Sequence, residues 1–196
     1  ERHGAYILGY TDGTFGPSRS MTRAEAAAIF ARLLAEKNGD TISTAANTKF
    51  ADIPAHAWYS GYVKYLSNNG ITYGKSKTIF APNDAITRAE FTTMAVRFFD
   101  VYGDGDAEIM EQFSGFNDVS SGYWAAEYIK YAALHGWING YGDGSFHADR
   151  EINRAEVVTI VNRLLGREAD EDYIADNLRK LNTFPAVSYT HLTLPT

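Results

Sequence analysis

One short phrase occurs three times in this chain: MTRAEA at 21–26, ITRAEF at 86–91 and INRAEV at 152–157. Its arginines, Arg23, Arg88 and Arg154, lie 65 and 66 residues apart, and Phe15, Phe80 and Phe146 keep the same two intervals. Trp58 and Trp124, Asp52 and Asp118, Tyr62 and Tyr128, and Gly70 and Gly136 are each separated by 66. A register held over so many positions means that the chain is built from repeated units. A unit of this size buries its apolar face only against its neighbours.

The units are expected at 1–36, 50–100 and 116–166, with the first lacking its opening part, and with polar, Gly-bearing connectors over 36–49 and 100–115. Each complete unit reads as helix, loop, helix. In the first helix Trp58, Tyr62, Tyr65 and Leu66 follow a 3.6-residue period, and Gly70 stands where a helix ends on a left-handed glycine. In the second helix Phe91, Met94, Ala95, Phe98 and Phe99 keep that period. Their counterparts are Ile29, Phe30, Leu33 and Leu34 in unit one, and Val157, Ile160, Val161, Leu164 and Leu165 in unit three. Three equivalent stripes predict an all-α fold, with a central three-helix bundle of pseudo-threefold symmetry.

Thr-x-x-Glu ahead of an apolar periodic run is a capping box, so Thr22 with Glu25, Thr87 with Glu90, and Asn153 with Glu156 are expected to open the three inner helices. That role suffices for the glutamates and argues against a catalytic pair of carboxylates. The arginine is not needed for capping, and a cation at a helix N-terminus opposes the helix dipole. Two readings stand. The guanidinium, with the free N–H groups of the first turn, holds an anion such as a carboxylate or phosphate; or it pairs with an acidic residue of the neighbouring unit.

Ahead of two caps run Gly-rich turns, GYTDGTFGP at 9–17 and GYGDGSFHA at 140–148; unit two has YGKSKTIFAP, without the Asp-Gly pair. Asp12 and Asp143 are read as turn residues. DGDAE at 104–108 lacks the ligand spacing of a calcium loop. The apolar stripe puts Trp58 and Trp124 in the core, the alternative being sugar-stacking platforms. The histidines show no metal-ligand spacing, with His56, His135 and His147 read as surface residues, and no nucleophile elbow, P-loop, zinc or dinucleotide motif occurs. No metal, cofactor or catalytic site is expected.

Composition narrows the partners. With 45% hydrophobic residues among 196 the chain can form a packed core, and a net charge of −6 argues against a general nucleic-acid binder. The absence of cysteine excludes disulfides and thiolate zinc sites, which suits a cytosolic or a Gram-positive surface protein alike. No apolar run reaches the roughly 18–20 residues of a membrane span.

FADI and FNDV with the tryptophans that follow, GYTDGTF and GYGDGSF, and above all the TRAE, TRAE and NRAE phrases resemble the S-layer homology domain family over roughly residues 4–166. The resemblance implies three tandem repeats in a pseudo-threefold helical spindle. It further implies a monomeric, non-catalytic module that anchors a bacterial surface or S-layer protein to the cell wall. The implied partner is a secondary cell-wall polysaccharide whose N-acetylmannosamine carries a pyruvate ketal. On that basis Arg23, Arg88 and Arg154 bind the ketal carboxylate in grooves between units, and Gly9, Gly74 and Gly140 let the ligand approach the backbone. Trp58 and Trp124 form groove walls, while Asp52 and Asp118 are structural. At most two grooves are expected to be complete. The attachment part of a surface glycan-active enzyme is the alternative. The tail VSYTHLTLPT at 187–196 looks like a translated sequencing adapter, and 167–186 like a helix and linker. The chain is therefore expected to be a piece of a longer surface protein.

Overall fold

The computed structural model describes residues 6–103 and 113–167. Among them the regular elements are helices: α1 (Arg23–Asn38), α2 (Ser60–Asn68), α3 (Arg88–Tyr102), α4 (Ala126–Leu134) and α5 (Arg154–Leu164). The described residues are all-α, as the stripes predicted. The stretch 104–108, nearly all of 167–186 and the tail 187–196 lie outside the described residues.

All three capping boxes form. The side chains of Thr22, Thr87 and Asn153 accept from the N–H of Glu25, Glu90 and Glu156 at 3.2, 3.2 and 2.9 Å. The glutamates accept in return from the cap N–H groups at 2.8, 3.1 and 3.0 Å. Each arginine is thus the first residue of its helix. At the other end Gly39, at φ 68°, stops α1, and Gly70 and Gly136, at φ 73° and 68°, follow α2 and α4. The connectors begin later than the composition suggested, after Asn38 and Tyr102, because the helical turns continue to those residues.

The packing runs between units. α2 of unit two lies on α1 of unit one, and α4 of unit three lies on α3 of unit two. α3 packs against both α1 and α5, with Phe30 of α1 meeting Phe91 and Phe98 at 5.2 and 5.0 Å between ring centres. α1 and α5 do not pack on each other, so the expected three-way bundle is met only through α3. Instead, the segments leading into α1, α3 and α5 are joined by three backbone bonds that close a ring. Met21 N–H donates to Ile152 O (3.1 Å), Ile152 N–H to Ile86 O (3.0 Å) and Ile86 N–H to Met21 O (2.9 Å). All three residues are fully buried, so these bonds are shielded from exchange with water.

Asp52 and Asp118 hold a strained turn. Asp52 accepts from the N–H of Phe80 and Ala81 at 2.9 and 2.6 Å, and Asp118 from Phe146 and His147 at 2.7 Å each. Ala81 and His147 sit at φ 58° and 55°, where a side chain is unfavourable, and the equivalent residue of unit one is Gly16 at φ 61°. Burial works to raise the Asp118 pKa, but the two backbone N–H groups outweigh it and leave the carboxyl below its ordinary value.

Trp58 and Trp124 are not in the core: they are 54% and 56% exposed. α2 and α4 start two residues after them, so the helical period does not extend back to the tryptophans. The buried stripe is Val63 and Leu66, or Ile129 and Ala132, with Tyr62 and Tyr65 only half-buried. The buried tryptophan is Trp137, at 3% exposure. His135 is half-buried against it at 5.1 Å, because it follows α4 directly and turns inward over the aromatic cluster.

Candidate functional site

The repeated arginines converge on the seams between units. Arg23, Arg88 and Arg154 are 4%, 5% and 3% exposed, and a guanidinium buried to that degree needs its N–H groups occupied. Their Nε atoms donate to the carbonyls of Phe80, Phe146 and Phe15 at 2.7, 2.8 and 2.8 Å. The same phenylalanine rings lie 4.9, 4.5 and 4.8 Å from the guanidinium carbons. The shared 65- and 66-residue intervals of Phe and Arg are the sequence trace of these contacts.

Each arginine also meets the capping glutamate of another unit. Arg23 Nη1 is 3.0 Å from Glu90, Arg88 Nη1 is 2.9 Å from Glu156, and Arg154 Nη1 is 3.9 Å from Glu25. Every glutamate therefore closes its own helix with one oxygen and faces a neighbour's arginine with the other. The pairing reading of the arginine is met in all three units. The first-turn N–H groups are not free, as the sequence reading assumed. Those of Arg23 and Ala24 donate to Asp84 and Pro82, those of Arg88 and Ala89 to Arg150 and Ala148, and those of Arg154 and Ala155 to Arg19 and Pro17. Docking between units uses the donors that an anion would have taken, so any anion must be held by guanidinium and side-chain groups.

Among the described residues, Arg154 and Arg23 nonetheless line cavities. The first groove, of about 520 Å³, brings together Arg154 from unit three, Gly9, Tyr10 and Glu25 from unit one, and Trp58 from the start of α2. Here the ion pair is loosest, since Glu25 stands 3.9 Å away, while Arg154 Nη2 donates to Leu8 O at 2.6 Å. The second groove, of about 80 Å³, joins Arg23, Gly74, Glu90, Thr93 and Trp124. Both follow one pattern: an arginine from one unit, a glycine turn and inner helix from the next, and a tryptophan from the unit after.

Around Arg88 the arginine and glycine turn recur without a tryptophan, since unit one supplies none in this sequence, and the arrangement is more closed. Its Nη1 meets Glu156, its Nη2 donates to Asn139 O at 3.3 Å, and the Tyr141 ring lies over it at 5.1 Å. Arg150 bonds both Glu156 and the Tyr141 hydroxyl, tying the cover down. Burial lowers the Arg88 pKa from its ordinary value, opposed by Tyr141 and Glu156.

The turn glycines have an internal reason to be glycine. A Cβ on Gly74 would stand 2.4 Å from the Phe50 ring and 2.5 Å from Ile79 O, and one on Gly140 2.5 Å from the Phe116 ring. The missing Asp-Gly pair of unit two does not cost it the turn. Lys75 N–H reaches Ile79 O at 2.9 Å, as Tyr10 reaches Thr14 and Tyr141 reaches Ser145 at 2.8 Å each. Asp12 and Asp143 are turn residues. Hydrogen bonds from the hydroxyl and then the N–H of Thr14 and Ser145 hold their carboxyls below the ordinary range. Sequence reasoning missed Arg32 and Arg97, which repeat at 65 residues, line the first and second grooves, and lie over Tyr62 and Tyr128 at 5.0 and 4.9 Å.

Among the described residues no group of three or more His, Asp or Glu could hold a metal ion, and no helix is long and apolar enough to cross a membrane.

The S-layer homology domain family matches residues 2–27, 49–92 and 115–158. Three Acetivibrio thermocellus proteins are similar to this chain. Cell surface glycoprotein 1 is 37% identical over 84% of this chain and 7% of its own length. The cellulosome-anchoring protein is 34% identical over 84% of this chain and 36% of its own. Exoglucanase XynX is 33% identical over 81% of this chain and 14% of its own. The chain thus spans a minor part of the curated relatives it matches.

Proposed function

Because the chain belongs to the S-layer homology domain family, we propose that it is a non-catalytic anchoring module that holds a surface protein to a bacterial cell wall. It does so by binding an acidic sugar of a wall polysaccharide in the grooves between units. The observation that carries this reading is the first groove, where Arg154, Gly9 and the exposed Trp58, drawn from three units, border one cavity. An acidic sugar bearing a pyruvate ketal suits that groove: its carboxylate competes for Arg154 with a glutamate withdrawn to 3.9 Å. The ketal methyl faces Met21, Ala28 and Ile29, and the sugar ring stacks on Trp58. The capping glutamates are committed to helix ends and guanidinium partners, which supports binding over catalysis. Several weak grooves acting together would give an avidity above that of any one.

Co-sedimentation with wall sacculi tests this. The protein should pellet with polymer-bearing sacculi and remain in solution with sacculi stripped of the polymer or of its ketal acid. Trp58→Ala with Trp124→Ala should lower retention at least about tenfold with little change in melting temperature, since both side chains are exposed. Equal pelleting with stripped sacculi would overturn the reading. The similarity to Exoglucanase XynX favours a second reading at the level of cargo, in which the anchored protein is a glycan-active enzyme; an extended reading frame decides between the two.

A further inference from the structure

The two grooves share a plan, yet unit two departs from it at each variable position. Where Tyr10 and Tyr141 lie over Arg154 and Arg88 at 4.6 and 5.1 Å, unit two has Lys75. Where Arg19 and Arg150 attend those tyrosines, it has Asp84, bonded to Lys75 at 2.8 Å. Among the described residues no tyrosine ring covers Arg23. Nor does Arg23 make the third contact of its counterparts: Arg154 Nη2 donates to Leu8 O and Arg88 Nη2 to Asn139 O, whereas Arg23 shows bonds through Nε and Nη1.

The second departure lies on α3. Thr93 is 3% exposed and lines the second groove, and its hydroxyl has no hydrogen-bond partner among the described residues. A buried hydroxyl without a partner costs free energy that folding alone gives no reason to bear. The matching residue of unit one is Ala28, which has no hydroxyl, and that of unit three is Thr159, whose hydroxyl donates to Ala155 O at 3.0 Å. Thr92, next along α3, is also unpartnered but does not line the groove. One wall of a single groove therefore carries a guanidinium with a terminal nitrogen in reserve and a hydroxyl awaiting an acceptor.

Size limits what can satisfy both. At roughly 30 Å³ per water-sized group, the second groove, at about 80 Å³, has room for about three such groups, and the first, at about 520 Å³, for many more. A bare carboxylate fits the second recess with its ring left at the mouth, whereas a ketal carboxylate sits on a carbon that also bears a methyl, which needs the wider space of the first groove.

We propose that Thr93, with Arg23, makes the second groove selective for a compact carboxylate, as a uronic acid presents it, while the first groove takes the bulkier ketal sugar. This rests on the anchoring reading above and deepens it, since the module would then grip two different acidic residues of a wall glycan. One carboxylate oxygen accepts from Arg23 Nη2 and the other from the Thr93 hydroxyl, leaving the sugar ring outside, beside Trp124.

Groove-resolved NMR titration tests the assignment, with the backbone amides of Gly9 and Gly74 as reporters of the first and second grooves. The probes are methyl glucuronoside and the pyruvate-ketal methyl glycoside of N-acetylmannosamine. Glucuronoside should shift Gly74, with an affinity that falls roughly 10–150-fold in Thr93→Val, in keeping with a lost hydrogen bond to a charged group. Thr93→Ser, which keeps the hydroxyl, should restore it. The ketal sugar should shift Gly9 and be indifferent to Thr93→Val. The proposal is overturned if Thr93→Val leaves the Gly74 titration unchanged, or if glucuronoside shifts Gly9 as readily as Gly74. Loss of ketal-sugar binding at Gly9 with a normal Gly74 titration would uphold the second groove and sink the first-groove reading. Binding of neither probe would sink both.

Discussion

The aspartate-held turn yields a prediction that can be worked through from the geometry. Asp52 receives two backbone N–H groups, from Phe80 and Ala81, and Ala81 sits at φ 58°. A hydrogen bond to a charged group contributes about 1.5–3 kcal/mol when shielded. Asp52 is half-exposed, so water replaces part of each bond, and Asp52→Ala should cost about 2–4 kcal/mol. For a chain of this size that is a fall in melting temperature of roughly 5–15 °C. Ala81→Gly acts in the other direction. It relieves about 1–2 kcal/mol of left-handed strain but adds about 0.5–1 kcal/mol of unfolded-chain entropy, for a net gain of at most about 1.5 kcal/mol. The two changes should be coupled, because without Asp52 the turn can open and Ala81 can leave the strained region. Ala81→Gly should therefore return less in the Asp52→Ala background than in the parent. Urea unfolding of the four proteins gives the cycle. Equal gains from Ala81→Gly in both backgrounds would refute the claim that the aspartate holds the turn.

Asp118→Ala should show a pH signature. The folded carboxyl titrates below its ordinary value, so its contribution is present above about pH 3.9 and is lost as the pH falls through the lower folded value. Thermal melts of mutant and parent should therefore differ at pH 7 and converge toward pH 2–3. Gly74→Ala should destabilise by more than about 2 kcal/mol, since it combines φ 81° with a Cβ 2.4 Å from the Phe50 ring; chemical denaturation measures it. Thr22→Ala should cost about 1 kcal/mol by the same assay, through loss of one cap.

The parts of this molecule that were legible in the sequence follow from local rules. Thr-x-x-Glu dictates a cap from its own four residues, and the stripe around Phe91 and Phe98 dictates a helix from its own period. The repeat interval linked Arg88 to Arg23 and Arg154 without any structure. What local rules could not give was the partner of each arginine, because Glu156 lies 68 residues from Arg88 in the chain. The same limit hid the loss of the first-turn N–H groups, whose acceptors, Arg150 and Ala148, belong to another unit. Trp58 was misjudged for a different reason. Its spacing to Tyr62 fits a helical period, but a period counts only inside a helix, and α2 begins at Ser60. The orphaned hydroxyl of Thr93 had no signal at all, since a threonine in a helix reads as neutral until its neighbours are known.

The hydrogen-bond ring through Met21, Ile86 and Ile152 sets this chain apart from repeats that merely stack. A linear array can fray from its last member inward, whereas a closed circuit has no last member to lose. Rupture at any one link should release all three together, giving a single sharp transition. Its formation must await the meeting of Met21 with Ile152, so the final step of assembly is governed by how quickly the two distant ends of the circuit find each other.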